Sequence, residues 1–80
     1  MATKRRFPEL RLLILRGLSS GQKTVNQLSQ DVGINWRTVD KHLVHLIGRG
    51  YVSPVFTSPY VKIFQITEAG RHALVRGEVK

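Results

Sequence analysis

The chain lacks cysteine altogether, is poor in acidic residues and has no long uninterrupted apolar run. Without cysteine, disulfides and thiolate metal sites are excluded, and a reducing compartment is compatible with the composition. No apolar run approaches the roughly 18 residues that a membrane span needs. The apolar segment 10–18 is interrupted by Arg11 and Arg16, so we expect neither a membrane helix nor a signal peptide.

The scarcity of acidic residues leaves a large positive charge. Five Asp and Glu stand against 13 Lys and Arg, which gives a formal net charge of +8, and both halves of the chain share the excess. Such a charge favours nucleic acid as the partner, with an anionic membrane surface second and a basic protein without any polyanion partner as the plain alternative. The length of 80 residues indicates one small domain with a limited core.

Apolar residues at helical spacing predict three helices in the first 50 residues. The first begins near Pro8, the second after Thr24 and the third after Asn35. Thr24 and Gln27 have the capping-box spacing, Gly33 is suited to a left-handed helix end, and Asn35 is a strong N-cap. The third helix is expected to turn inward Val39, Leu43, Leu46 and Ile47.

Two segments rich in β-branched and aromatic residues follow, at Tyr51–Phe56 and Val61–Ile66. A turn cluster separates them, so they predict a β-hairpin, in which Pro54 requires an edge strand. Thr67 should cap a short last helix, with Ala69, Ala73 and Leu74 on its apolar side. We therefore expect a basic flexible arm over residues 1–7, one domain over residues 8–76 and a frayed tail over residues 77–80.

The order of elements predicts an α+β fold with a three-helix core, a hairpin and a short C-terminal helix. Two helices joined by a tight turn containing Gly33 form a helix-turn-helix, and a hairpin directly after it forms a wing. The stretch Thr24–Tyr51 and the phrase Phe64–Gly70 resemble winged helix-turn-helix transcriptional regulators. The resemblance spans roughly residues 8–75. It is greatest to small archaeal and archaeal-virus regulators of the ArsR and MarR groups, and it implies binding of double-stranded DNA.

In a helix-turn-helix, the second helix enters the major groove and its first residues reach the base edges. Its outward side here carries Arg37, which can donate twice to guanine, and Lys41 one turn later. Asn35 is either a cap or a base reader, and Trp36 either contacts DNA or covers the helix junction. The family pattern implies contacts to bases or backbone from Asn35, Trp36, Arg37, Thr38, Lys41 and His42.

The wing carries Tyr60 and Lys62, and its tip has no Arg. We therefore expect mainly phosphate contacts from the wing, although Tyr60 can equally serve the turn alone. Lys23, near the start of the second helix, is placed for a phosphate contact beside that helix's free N–H groups.

Leu12 and Leu15 fall partly outside the apolar stripe of the first helix. In a small domain this predicts a homodimer through that helix, unless the hairpin and last helix cover both side chains. A symmetric dimer would read half-sites about one helical turn apart. The predicted function is a sequence-specific, duplex DNA-binding transcriptional regulator of the nucleoid, within the cytoplasm. The alternatives are a protein-interaction subunit of a larger assembly and a non-specific architectural DNA binder.

The sequence lacks the sets of residues that catalysis or metal binding would need. Only three histidines are present, spread over two predicted helices, and the carboxylates form no spaced pair. A zinc site would need three or four protein ligands, and an enzyme would need a nucleophile with a base or a phosphate-binding loop. We therefore expect no cofactor, no metal, no enzymatic activity and no readable small-molecule ligand.

Overall fold

Within residues 7–77, four helices and three short strands follow one another. A computed structural model describes residues 7–77, with side chains from residue 9 onward. The elements are α1 (Phe7–Ser19), β1 (Lys23–Thr24), α2 (Val25–Val32), α3 (Trp36–Gly48), β2 (Val52–Thr57), β3 (Lys62–Ile66) and α4 (Glu68–Arg76). The predicted arm and tail lie outside the described residues, except for Phe7, where α1 already begins, and Gly77. No helix within residues 7–77 has the length and apolar character needed to cross a bilayer.

Local hydrogen bonds define the helix-turn-helix formed by α2 and α3. Thr24 Oγ1 accepts from the Gln27 N–H at 3.1 Å, and Gln27 Oε1 accepts from the Thr24 N–H at 2.9 Å. Gly33 ends α2 in the left-handed region at φ 68°, which costs glycine little. Asn35 Oδ1 then caps α3 by accepting from the Arg37 N–H at 2.8 Å. The predicted capping box, terminator and N-cap are therefore confirmed.

The hairpin belongs to a three-stranded antiparallel sheet with the strand order β1-β3-β2. The additional strand, β1, pairs Lys23 with Phe64 and Thr24 with Ile63, so the start of α2 is attached to the wing. Two residues are too few to show a period of two, and sequence patterning did not predict this strand. Pro54 lies in the edge strand β2, beside a register shift before Phe56, where a missing N–H is tolerated.

The core lies between α1, the inner sides of α2 and α3, and the sheet. Its fully buried members are Ile14, Leu15, Leu18, Leu28, Val39, Leu43 and Leu46. The expected exposure of Leu15 is wrong: its side chain is 0% exposed, because α4 and β3 pack against α1. Leu12 is half-buried against the same core. In α4, Ala73 is buried as predicted, whereas Ala69 is exposed and Gly70 is buried instead.

The wing is fastened at its root by α4. The Thr67 N–H donates to the Tyr51 carbonyl at 2.9 Å, and Thr67 Oγ1 donates to the Gly50 carbonyl at 2.6 Å. Gly70 approaches the same backbone so closely that a Cβ atom there would lie 2.2 Å from the Tyr51 carbonyl oxygen. Glycine is therefore required at position 70 by a close approach between α4 and the wing root.

We predict that Gly70→Ala lowers the free energy of unfolding by about 1–3 kcal/mol, because the methyl group must displace backbone. Gly48→Ala is the matched control, since a Cβ atom at that helical position meets nothing within 4 Å. The control should be neutral or stabilising by up to about 1 kcal/mol. Chemical denaturation followed by the fluorescence of Trp36, the single tryptophan, measures both variants. Equal stability of the two variants would contradict the close approach.

Candidate nucleic-acid interface

The outward side of α3 carries a row of exposed side chains. Because Val39, Leu43 and Leu46 are fully buried, the opposite side of the helix faces solvent. Arg37 and Lys41 are exposed there, one turn apart, as predicted from the spacing. Val44 continues the row three residues after Lys41, and its side chain is 65% exposed.

Trp36 and Arg37 form a pair at the start of α3. The guanidinium carbon of Arg37 lies 5.5 Å from the centroid of the Trp36 ring, which is within cation–π distance. The indole is 51% exposed, so about half of its surface is open to a partner. In the part of the chain that the structure describes, no carboxylate forms an ion pair with Arg37 or Lys41.

Asn35 and Thr38 flank this pair. The Asn35 side-chain oxygen is engaged in the helix cap, so that oxygen is occupied before any base could approach. Thr38 is half-buried. The two residues therefore border the exposed row of α3.

An open cleft of about 520 Å³ separates α3 from the wing. Its walls include Asn26 from the first turn of α2, Trp36 and Asp40 from α3, and Tyr60 and Lys62 from the wing. The recognition-type helix α3, the N-terminus of α2 and the hairpin thus meet around one groove, and four of the six elements that precede α4 contribute to its walls.

The wing turn is closed by Ser58. Its Oγ accepts from the Tyr60 N–H at 3.2 Å and from the Val61 N–H at 3.0 Å. The side chain of Tyr60 is 93% exposed, and these turn bonds use only its backbone. Of the two roles that the sequence allowed for Tyr60, formation of the turn therefore does not involve its ring.

Both lysines predicted to meet phosphates face carboxylates. Lys62 Nζ lies 4.0 Å from Asp40 Oδ1, which joins the wing to α3. Lys23 forms an ion pair with Asp31 at the end of α2. A phosphate would therefore compete with an aspartate for each of these lysines.

His42 does not lie on the outward side of α3. It is only 6% exposed, and its Nδ1 accepts from Arg11 Nε at 3.2 Å. The expected phosphate contact from His42 is therefore wrong, because the ring packs toward α1. Burial lowers the pKa of His42, and the charges of Arg11 and His45 lower it further.

Val44 is the surface residue that sequence reasoning missed. The signal was present, since Val44 lies seven residues after Arg37 and three after Lys41 and thus shares their side of the helix. An exposed valine on a recognition surface can pack against the methyl group of thymine.

A family model described as bacterial regulatory protein, arsR family, matches residues 8–53, which is more than half of the chain. The match spans the helix-turn-helix and the first residues of the wing. No curated protein matches the chain. Among residues 7–77, no group of three His, Asp or Glu side chains is arranged to hold a metal ion.

Solved structures share the fold. Sso10a-2, a DNA-binding protein from Sulfolobus solfataricus, is 27% identical with a TM-score of 0.81, over 92% of this chain and 76% of that chain. The transcriptional regulator BldR from the same organism is 23% identical with a TM-score of 0.78, over 88% of this chain and 52% of its own. A MarR family transcriptional regulator from Silicibacter pomeroyi is 26% identical with a TM-score of 0.72, over 91% and 48%. The chain thus spans about half the length of the latter two proteins.

The buried histidine generates a pH-dependent stability. Unfolded His42 takes up a proton below its ordinary pKa of about 6.5, whereas the folded protein resists that proton. The free energy of unfolding should therefore fall as the pH drops below about 6.5, until the lowered pKa of the folded state is reached. Urea denaturation at a series of pH values on both sides of about 6.5 follows this fall.

His42→Gln should remove part of that pH dependence, whereas the control His72→Gln, at an exposed position, should retain it. Identical pH profiles for the two variants would contradict the assignment to His42.

Proposed function

We propose, since the chain belongs to the arsR family of bacterial regulatory proteins, that this transcriptional regulator recognises specific sequences of duplex DNA. Membership in a family of winged-helix regulators implies DNA binding, and it argues against an enzyme. The observation that carries sequence-specific recognition is the row Arg37, Lys41 and Val44, exposed along α3 beside the wing cleft. In this proposal α3 occupies the major groove.

Each exposed side chain of α3 makes a different contact in this proposal. Arg37 presents two donors to guanine O6 and N7, and stacking on Trp36 limits the orientations of its guanidinium. Lys41 donates to a second base or a phosphate one turn later. Val44 packs on a thymine methyl group, while Asn35 and Thr38 border the contact. Arg37 supplies the main discrimination, because bidentate pairs are the most selective contacts available to a side chain.

The wing and the start of α2 hold the sugar-phosphate backbone. Thr24, Val25 and Asn26 at the α2 N-terminus line the cleft, and helix N-termini favour phosphate. Tyr60 and Lys62 approach from the wing, and Lys23 adds a cation from β1. These contacts provide affinity and register but no sequence information.

The proposal includes a homodimer acting on nucleoid DNA. Leu15 is unavailable for an interface because it lies in the core, so the half-buried Leu12 is the remaining predicted contact on α1. A two-fold arrangement would set two copies of α3 on successive major grooves, with half-sites about 34–36 Å apart.

Selection of binding sites from random duplexes tests sequence preference and symmetry together. We expect enrichment of a palindrome containing guanine, with binding that weakens as salt rises. Binding without any enriched sequence would instead identify an architectural protein. Absence of salt-dependent duplex binding at low salt would favour a protein-interaction subunit.

Arg37→Ala should weaken binding to the selected site by roughly tenfold or more, while binding to random duplex changes far less, because a guanine contact is lost. The charge-matched control is Arg76→Ala, since Arg76 is exposed on α4, which packs chiefly against α1. Fluorescence anisotropy with labelled duplexes measures both variants. Losses of equal size on selected and random DNA would contradict a base-reading role for Arg37.

A further inference from the structure

We propose that Asp40 is a specificity-determining residue whose carboxylate exchanges Lys62 for the exocyclic amino group of cytosine when α3 enters the major groove. The inference rests on the proposed function and adds to it an acidic reader and a coupling between α3 and the wing.

Asp40 occupies the position that such a reader needs. It is the only acidic residue of α3, lies between Arg37 and Lys41 in the chain, and lines the cleft that faces the wing. Its carboxylate oxygen Oδ1 lies 4.0 Å from Lys62 Nζ. This separation is long for an ion pair, and both side chains are partly exposed to solvent.

The pair is weak enough to exchange. Ion pairs between solvent-accessible side chains contribute little, because water screens the charges and two long side chains lose freedom. A phosphate is a suitable alternative partner for Lys62. Once Lys62 turns to the backbone, however, Asp40 is left as an unneutralised carboxylate close to a polyanion. That state is unfavourable unless the DNA provides a donor.

Cytosine provides that donor. In the major groove, N4 of cytosine donates, whereas thymine O4 and guanine O6 and N7 are acceptors that repel a carboxylate. Adenine combines an N6 donor with an adjacent N7 acceptor, which suits an amide better than a carboxylate. Asp40 therefore penalises guanine and thymine and favours cytosine over adenine, and the release of Lys62 to a phosphate is favoured on the correct sequence.

A second ion pair in the same domain provides a matched control. Asp31 holds Lys23 near the end of α2, yet Asp31 is not among the residues that line the cleft. Asp31→Asn and Asp40→Asn change the net charge by the same amount and each frees one lysine. Only the second removes a carboxylate from α3.

The experiment measures binding of wild type, Asp31→Asn and Asp40→Asn to the selected duplex, to its single-base-pair variants and to random duplex over a range of salt. Both variants should bind random duplex more tightly than wild type, since each loses one negative charge. Only Asp40→Asn should lose the preference for cytosine at one position, by roughly tenfold or more, with adenine gaining most because asparagine pairs with N6 and N7.

Two further variants separate the roles of the pair. Asp40→Ser should also lose the cytosine preference, without the gain for adenine. This variant replaces Asp40→Asn in the test if the asparagine variant folds poorly. Lys62→Ala should weaken binding to the selected duplex more than binding to random duplex, because Asp40 releases the lysine to a phosphate on the correct sequence. The cytosine preference should persist, since the lysine itself contacts only the backbone.

Identical base profiles for Asp40→Asn, Asp31→Asn and wild type, with wild type binding its selected site, would overturn the role of Asp40 alone. Absence of specific duplex binding by wild type would instead overturn the proposed function, and the inference with it. The two failures are therefore distinguished within one set of titrations.

Discussion

The burial of one side of α3 is the constraint on which the rest of the structure depends. Val39, Leu43 and Leu46 are fully enclosed by the core, and this fixes the rotation of the helix about its axis. One residue of slip would turn the helix by about 100° and would carry Arg37 and Lys41 away from the wing. The aliphatic side chains therefore determine which polar side chains can meet a partner, although none of them touches it.

The second half of the interface depends on contacts between distant parts of the chain. β1 joins the α2 N-terminus to β3, and Thr67 ties the start of α4 to Gly50 and Tyr51 at the wing root. These attachments hold the root of the wing and its strand β3 beside the α2 N-terminus. The last helix thus supports the wing from a position remote from the proposed interface.

The predictable parts of the fold are those whose interactions are local in sequence. The bonds of Thr24 with Gln27 and of Asn35 with Arg37 span three and two residues, so the sequence pattern contains both partners. The two-residue strand β1 and the burial of Leu15 depend on elements far along the chain. His42 is different, because it lies three residues after Val39 and four before Leu46. That spacing already marks the inward side of α3, but the polarity of histidine suggested the surface.

The net charge of the chain is higher than the unpaired positive charge that α3, the wing and β1 present. Lys23 and Lys62 are each faced by an aspartate, whereas Arg37 and Lys41 have no carboxylate partner among the residues described. A cation paired with an aspartate in the free protein attracts an arbitrary phosphate backbone less than an unpaired cation does. Under the proposed function such pairing would weaken non-specific binding, and the ratio of specific to non-specific binding is what a regulator needs among many competing genomic sites.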